Sequence, residues 1–218
     1  MLVGWRRRAP SCTLLRLPPV DAEPETGNID VEDLKKKITK RTKAIVVTHI
    51  WGYPCEMDEI MEVAKNHGLK VIEDCSHAHG ATYKGQLVGT FGDVSCFSLQ
   101  GNKIVSAGEG GILLTNSQEI YERSTLLGHF RDRSQQCVCS NFYKQFAKTG
   151  YGLKYRMHVL AAALARVSLW KLDERIKTRT ENLNYFSKLL SKIPHRTTNY
   201  QKLRYQRSIL WVQAFVSE

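Results

Sequence analysis

No apolar run in this 218-residue chain approaches the length of about 20 residues that a membrane-spanning helix needs. With no such run, mixed charges and ordinary glycine and proline content, the sequence reads as a soluble globular protein. Cysteines are few and unpaired in pattern: Cys12, Cys55, Cys75, Cys96, Cys137 and Cys139 form no disulfide framework. Cys137-Val-Cys139 is too tight for the usual zinc spacing and has no second pair, so free thiols and no metal site are expected. Acids are missing from residues 1–20, which carry Arg6, Arg7, Arg8 and Arg16, and residues 191–218 set five cations against Glu218 alone. Each tail thus holds +4 of the net +11, which leaves only +3 on the 170 residues between. A nucleic-acid module puts its basic patch on the folded body, interleaved with aromatic or motif residues. That placement argues against a nucleic-acid partner.

What is present is a run of parallel-sheet signals. Residues 44–50 and 69–73 are β-branched apolar runs. Between them Met57, Ile60, Met61 and Ala64 recur at helical spacing, with Gly68 as the stop. Strand, helix, strand at this length is a parallel βαβ unit and predicts an α/β fold with a mainly parallel, doubly wound sheet. Residues 94–99 and 111–115 read as further strands, 118–127 as a helix and 130–150 as a loop. A long helix from Met157 presents Leu160, Leu164 and Val167 on one side, and another from Glu174 carries Ile176, Leu183, Phe186 and Leu190.

The densest stretch is residues 71–115, VIEDCSHAHGATYKGQLVGTFGDVSCFSLQGNKIVSAGEGGILLT. Asp74 closes an apolar strand, at the edge where ligands bind in open α/β sheets. Taken alone, such an aspartate reads as a turn residue. Lys103 lies between a serine-bearing strand and a Gly-Glu-Gly-Gly turn, and a lone lysine reads as solvated surface. Together the two motifs resemble the DegT/StrS family of pyridoxal-phosphate sugar aminotransferases, in which E-D-x-x-H/Q-A-x-G-A and F-S-x-x-x-x-K-x-x-x-x-G-E-G-G recur in this order.

The resemblance implies a fold type I transferase large domain, pyridoxal 5'-phosphate as cofactor, and named roles. Lys103 would hold the cofactor aldehyde as a Schiff base and later move a proton. Asp74 would keep the pyridine nitrogen protonated, so that the ring accepts electrons. His77 would lie beside the phenolic oxygen, and Ser98 would donate to the phosphate. Residues 152–165, GLKYRMHVLAAALA, resemble the family's G-x-N-Y-R-M segment, whose polar residue reaches across a dimer interface to the neighbour's phosphate. Lys154 stands where Asn is usual and can bind phosphate as a point charge, while Arg156 keeps the family residue. His49, His79 and His129 read as structural, and Cys75 is expected on the face opposite Asp74.

The resemblance covers residues 21–194. It divides the chain into a leader (1–20), a partial cofactor-binding domain (21–172), the start of a small domain (173–194) and a tail (195–218). The family's Ser-Gly-Thr phosphate loop and most of its small domain have no counterpart here, so a truncated product or a faulty gene prediction is expected, with weak cofactor binding. Apolar surface near Val46 and Val71 is then expected to be exposed. The function implied is transfer of an amino group from glutamate or glutamine to a keto-sugar nucleotide or keto-cyclitol, by a homodimer when complete. The alternative is a non-catalytic remnant; a family dehydratase would carry His at the Lys103 position. The implied location is cytoplasmic, or mitochondrial if the Arg-rich leader is a transit peptide.

Overall fold

Asp30 opens the first helix. Its carboxylate accepts the amides of Glu32 and Asp33 at 2.8 and 3.1 Å, capping α1 (Val31–Lys37), and three lysines close the last turn against the helix dipole. The computed structural model describes residues 18–129, 132–148, 153 and 155–192, with the main chain of 196–197 and 215–216.

Strand β1 (Ala44–Thr48) leads through a 3-10 turn at Ile50–Gly52 into α2 (Met57–His67). Met57, Ile60, Val63 and Ala64 form its buried face, and Gly68 ends it in the left-handed region at φ 62°, where glycine meets no Cβ penalty. Strand β2 (Lys70–Asp74) then pairs parallel with β1, Ala44 opposite Lys70 through Thr48 opposite Asp74. A small hairpin, β3 (Thr82–Tyr83) and β4 (Gln86–Leu87), occupies the second crossover. Strand β5 (Val94–Ser98) follows, parallel to β2, and β6 (Gly111–Leu114) folds back antiparallel on β5. The sheet order is β1-β2-β5-β6, an α/β arrangement with a mainly parallel sheet as the sequence predicts.

The remaining helices are α3 (Gln118–Gly128), α4 (Asp132–Cys137), α5 (Asn141–Lys144), α6 (Val159–Trp170) and α7 (Leu172–Leu190), before the two-residue pair β7 (Arg196–Thr197) and β8 (Phe215–Val216). Among the described residues no helix is long and apolar enough to cross a membrane.

Among the described residues, two clusters of side chains make the core. The larger joins α1, α2 and one sheet face through Leu34, Ile45, Val47, Ile60 and Val71. The smaller gathers Leu99, Ile104, Val105 and Ala107 under Ala165 of α6, with Leu172 and Ile176 of α7 against it.

Three expectations change. Val46 is 47% exposed as anticipated, but Val71 is fully buried, because its place in the strand alternation sends it to the face covered by α2. The expected loop over 130–150 contains α4 and α5; the buried Glu122 carboxylate takes the amides of Cys139 (2.8 Å) and Ser140 (3.1 Å) and organises the chain there. On α6 the small Ala165 and Ser168 face inward, while Leu160, Leu164 and Val167 are exposed. Small side chains let the helix approach residues 104–107, and a sequence apolar on nearly every side gives no clear periodic hint of that choice.

Candidate active site

Alternation along β2 divides its last two acids. Glu73 lies on the buried face and Asp74 on the other, half-exposed at the carboxyl end of the strand. Asp74 Oδ1 accepts the Ser76 amide at 3.0 Å, the local turn that stops the strand. Across the sheet Asp74 is opposite Cys96 of β5, and Ser98 is two residues further on that strand. A period of two places Asp74, Cys96 and Ser98 on the same sheet face. The Ser98 hydroxyl accepts the Gln100 amide at 3.4 Å, and the chain turns at once, with the Lys103 amide bonded to the Gln100 carbonyl at 2.9 Å. Lys103 is therefore held, half-exposed, on a tight turn just past the end of β5.

His77 links the two motifs. Burial lowers the basicity of its imidazole, the positive charge of Lys103 lowers it further, and Asp74 acts in the opposite direction. The net effect keeps the ring neutral at neutral pH. Trp51 lies parallel to it, centroids 5.4 Å apart and planes 13° apart, from a left-handed main-chain position at φ 55°. His79 is buried against Phe97, its ring centroid 5.4 Å away, and burial pushes its pKa down to about 4. Cys75 is fully buried, on the side opposite Asp74 as expected.

Asp74, His77, Ser98 and Lys103 thus share one edge of the sheet. Arg156 does not join them: it is exposed, and its charge acts with burial and Arg133 to lower the basicity of His129, which caps the end of α3. Lys154 lies outside the described residues.

Sequence reasoning passed over Glu73. This fully buried carboxylate accepts the amides of Gly89 (2.7 Å), Phe91 (2.9 Å) and Gly92 (2.6 Å), and His49 Nε2 at 3.2 Å. Burial alone would raise its pKa, but the bonds from His49, Gly92 and Gly89 outweigh it and hold the carboxyl below its ordinary value. His49 Nδ1 accepts the Cys55 amide at 3.1 Å, so Nε2 carries the proton and donates to Glu73. His49, Glu73 and Cys75 offer ligand atoms within 4.8 Å of one another, yet the first two are committed to these bonds and burial pushes the Cys75 thiol far up. The readable signal was an acid at a position whose alternation demanded burial.

An anion, an imidazole, a hydroxyl and an amine along one edge fit a flat ligand that carries a basic ring nitrogen, an anionic group and a carbonyl. The sequence profile of the DegT/DnrJ/EryC1/StrS aminotransferase family matches residues 15–217. GDP-perosamine synthase of Escherichia coli O157:H7 is 38% identical over 174 residues, which cover 80% of this chain and 46% of that protein. Among solved structures, the Helicobacter pylori aminotransferase PseC, involved in the biosynthesis of pseudoaminic acid, superposes with a TM-score of 0.81 at 27% identity, over 93% of this chain and 53% of that one. The E. coli GDP-4-keto-6-deoxy-D-mannose-3-dehydratase with bound hydrated PLP gives 0.77 at 27% identity, over 91% of this chain and 53% of that one. The chain spans about half the length of the curated relatives it matches.

Proposed function

The chain belongs to the DegT/DnrJ/EryC1/StrS aminotransferase family, and from that premise we propose that it serves a pyridoxal-phosphate-dependent amino transfer to a keto-sugar nucleotide or keto-cyclitol, with glutamate or glutamine as donor. One observation carries the reading: strand pairing sets Asp74 opposite Cys96, two residues before Ser98, with the Lys103 turn just beyond, so residues from two separate motifs meet at one sheet edge. The cofactor, when bound, supplies an aldehyde that exchanges amines and a ring that accepts an electron pair.

The chain's own residues do the rest. Asp74 presents an anion to the ring nitrogen and favours its protonated form. The neutral His77 imidazole, within the influence of both that acid and the amine, would hydrogen-bond the ring oxygen. Ser98 donates to the phosphate. Lys103 would provide the amine that holds the aldehyde, and the same amine would serve as the base that moves a proton at the substrate carbon. Lys154 and Arg156 serve the phosphate of a second copy, a role that the exposure of Arg156 permits.

Incubation with the cofactor, reduction with borohydride and peptide mass spectrometry test the assignment. The pyridoxyl mass is expected on the peptide holding Lys103 and absent from Lys103→Ala. A label carried by other lysines with Lys103 unmodified would refute it.

A further inference from the structure

The turn that carries Lys103 is fastened from behind by two helices. Arg175 of α7 places a single nitrogen, Nη1, 2.6 Å from the Ile104 carbonyl and 2.7 Å from Ser168 Oγ. Ser168, on α6 and 4% exposed, also accepts the Ser106 amide at 3.0 Å. Two main-chain groups immediately after Lys103 are therefore bound to a serine and an arginine that bind each other. Around them Ile104, Val105 and Ala107 are buried with Ala165, and the Ala107 amide returns to the Leu99 carbonyl at 2.8 Å. On the other side the Lys103 amide is tied to Gln100. The main chain is thus fixed on both sides of the lysine, while its side chain is left half-exposed.

We propose that Ser168 and Arg175 are positioning residues, a clamp that sets the direction in which the Lys103 amine leaves the main chain. The inference rests on the role of Lys103 proposed above. A lysine stem is long and flexible, so its amine stays within reach of a carbonyl only if its base is fixed. A misplacement of about 1 Å at reacting atoms can cost on the order of a hundredfold in rate. The two side chains are suited to fixing that base. Arg175 satisfies a carbonyl that the turn leaves without a strand partner, and Ser168 does the same for an amide. Neither side chain need touch the cofactor or the substrate.

The test uses the full chain at a temperature where circular dichroism shows every variant folded. Borohydride fixation of pyridoxal phosphate at Lys103 is timed by mass spectrometry. Arg175→Met and Ser168→Ala are expected to slow labelling of Lys103 by roughly ten- to a hundredfold. Labelling of other lysines should not change, and Arg175→Lys, whose ammonium can still donate to both oxygens, should recover most of the rate. Hydrogen exchange gives a reading independent of cofactor: the Ser106 amide should exchange faster in Ser168→Ala, with β2 amides unchanged. Variants that melt earlier but label Lys103 at the wild-type rate would reduce the pair to a structural tie and overturn the proposal. Wild-type protein that takes no label would refute the role of Lys103 and the clamp with it, whereas wild-type labelling matched by both variants would refute the clamp alone.

Discussion

Glu73 and Asp74 are adjacent in sequence and opposite in surroundings, and the difference fixes what each replacement does. Asp74 is half-exposed and bonded to one amide, so Asp74→Asn should leave the fold intact. It should slow proton abstraction at the substrate carbon by on the order of a hundredfold or more, since preorganised charge is lost where charge develops. Single-turnover absorbance with the amino donor reads this step directly; an unchanged rate per bound cofactor would make Asp74 a strand-end turn residue. Glu73→Gln should do the reverse. Both carboxylate oxygens accept donors, so an amide nitrogen there would face another N–H, at a cost of about 3 kcal/mol in urea unfolding. The folded-state pKa of Glu73 is lowered from 4.5, so its stabilisation is present above that value and is lost as pH falls through the folded pKa. The acid limb of the wild-type stability curve should be steeper than that of Glu73→Gln; equal limbs would contradict the shift.

Most elements were legible because each carried its own local signal. Helix α2 had its apolar spacing and Gly68 as a stop, and β1 and β2 had β-branched runs. What escaped depended on partners distant in sequence. Nothing near residues 132–144 announces that Glu122 will cap that chain, and nothing in α6 shows which of its apolar sides meets the Lys103 turn. Lys103, Asp74, His77 and Ser98 were read from motif order, whereas Glu73, Trp51, Ser168 and Arg175 gain meaning only from three-dimensional neighbours. Gly80 shows how elements meet at the site. It sits at φ 76°, and a Cβ there would come 2.6 Å from Ile176 Cδ1 of α7. Gly80→Ala should therefore destabilise the protein by roughly 1–2 kcal/mol, from left-handed strain plus displacement of Ile176. Adding Ile176→Val should restore the packing share but leave the strain; a double variant no more stable than Gly80→Ala would exclude the contact as a cause.

At the scale of the whole molecule, one face of the sheet is covered along β1, β2 and the start of β5, and the other is more open. Val46 and Leu113 are 47% and 43% exposed on the face that carries Asp74 and Ser98. The site follows this division: its polar groups occupy the more open face, and the buried face supplies the framework behind them. The two core clusters add a further consequence. Asp74 belongs to a strand rooted in the larger one, and Lys103 to a turn rooted in the smaller. The proposed site therefore straddles the junction of the two clusters, and a ligand gripping both residues would tie them together. Stabilisation by a ligand that binds only the folded form grows with the logarithm of its concentration over its dissociation constant. Without cofactor, amides of residues 99–107 and those of β2 should report different opening free energies; with saturating cofactor the two should rise together and converge. A rise confined to one group would mean that the cofactor grips one side of the junction alone.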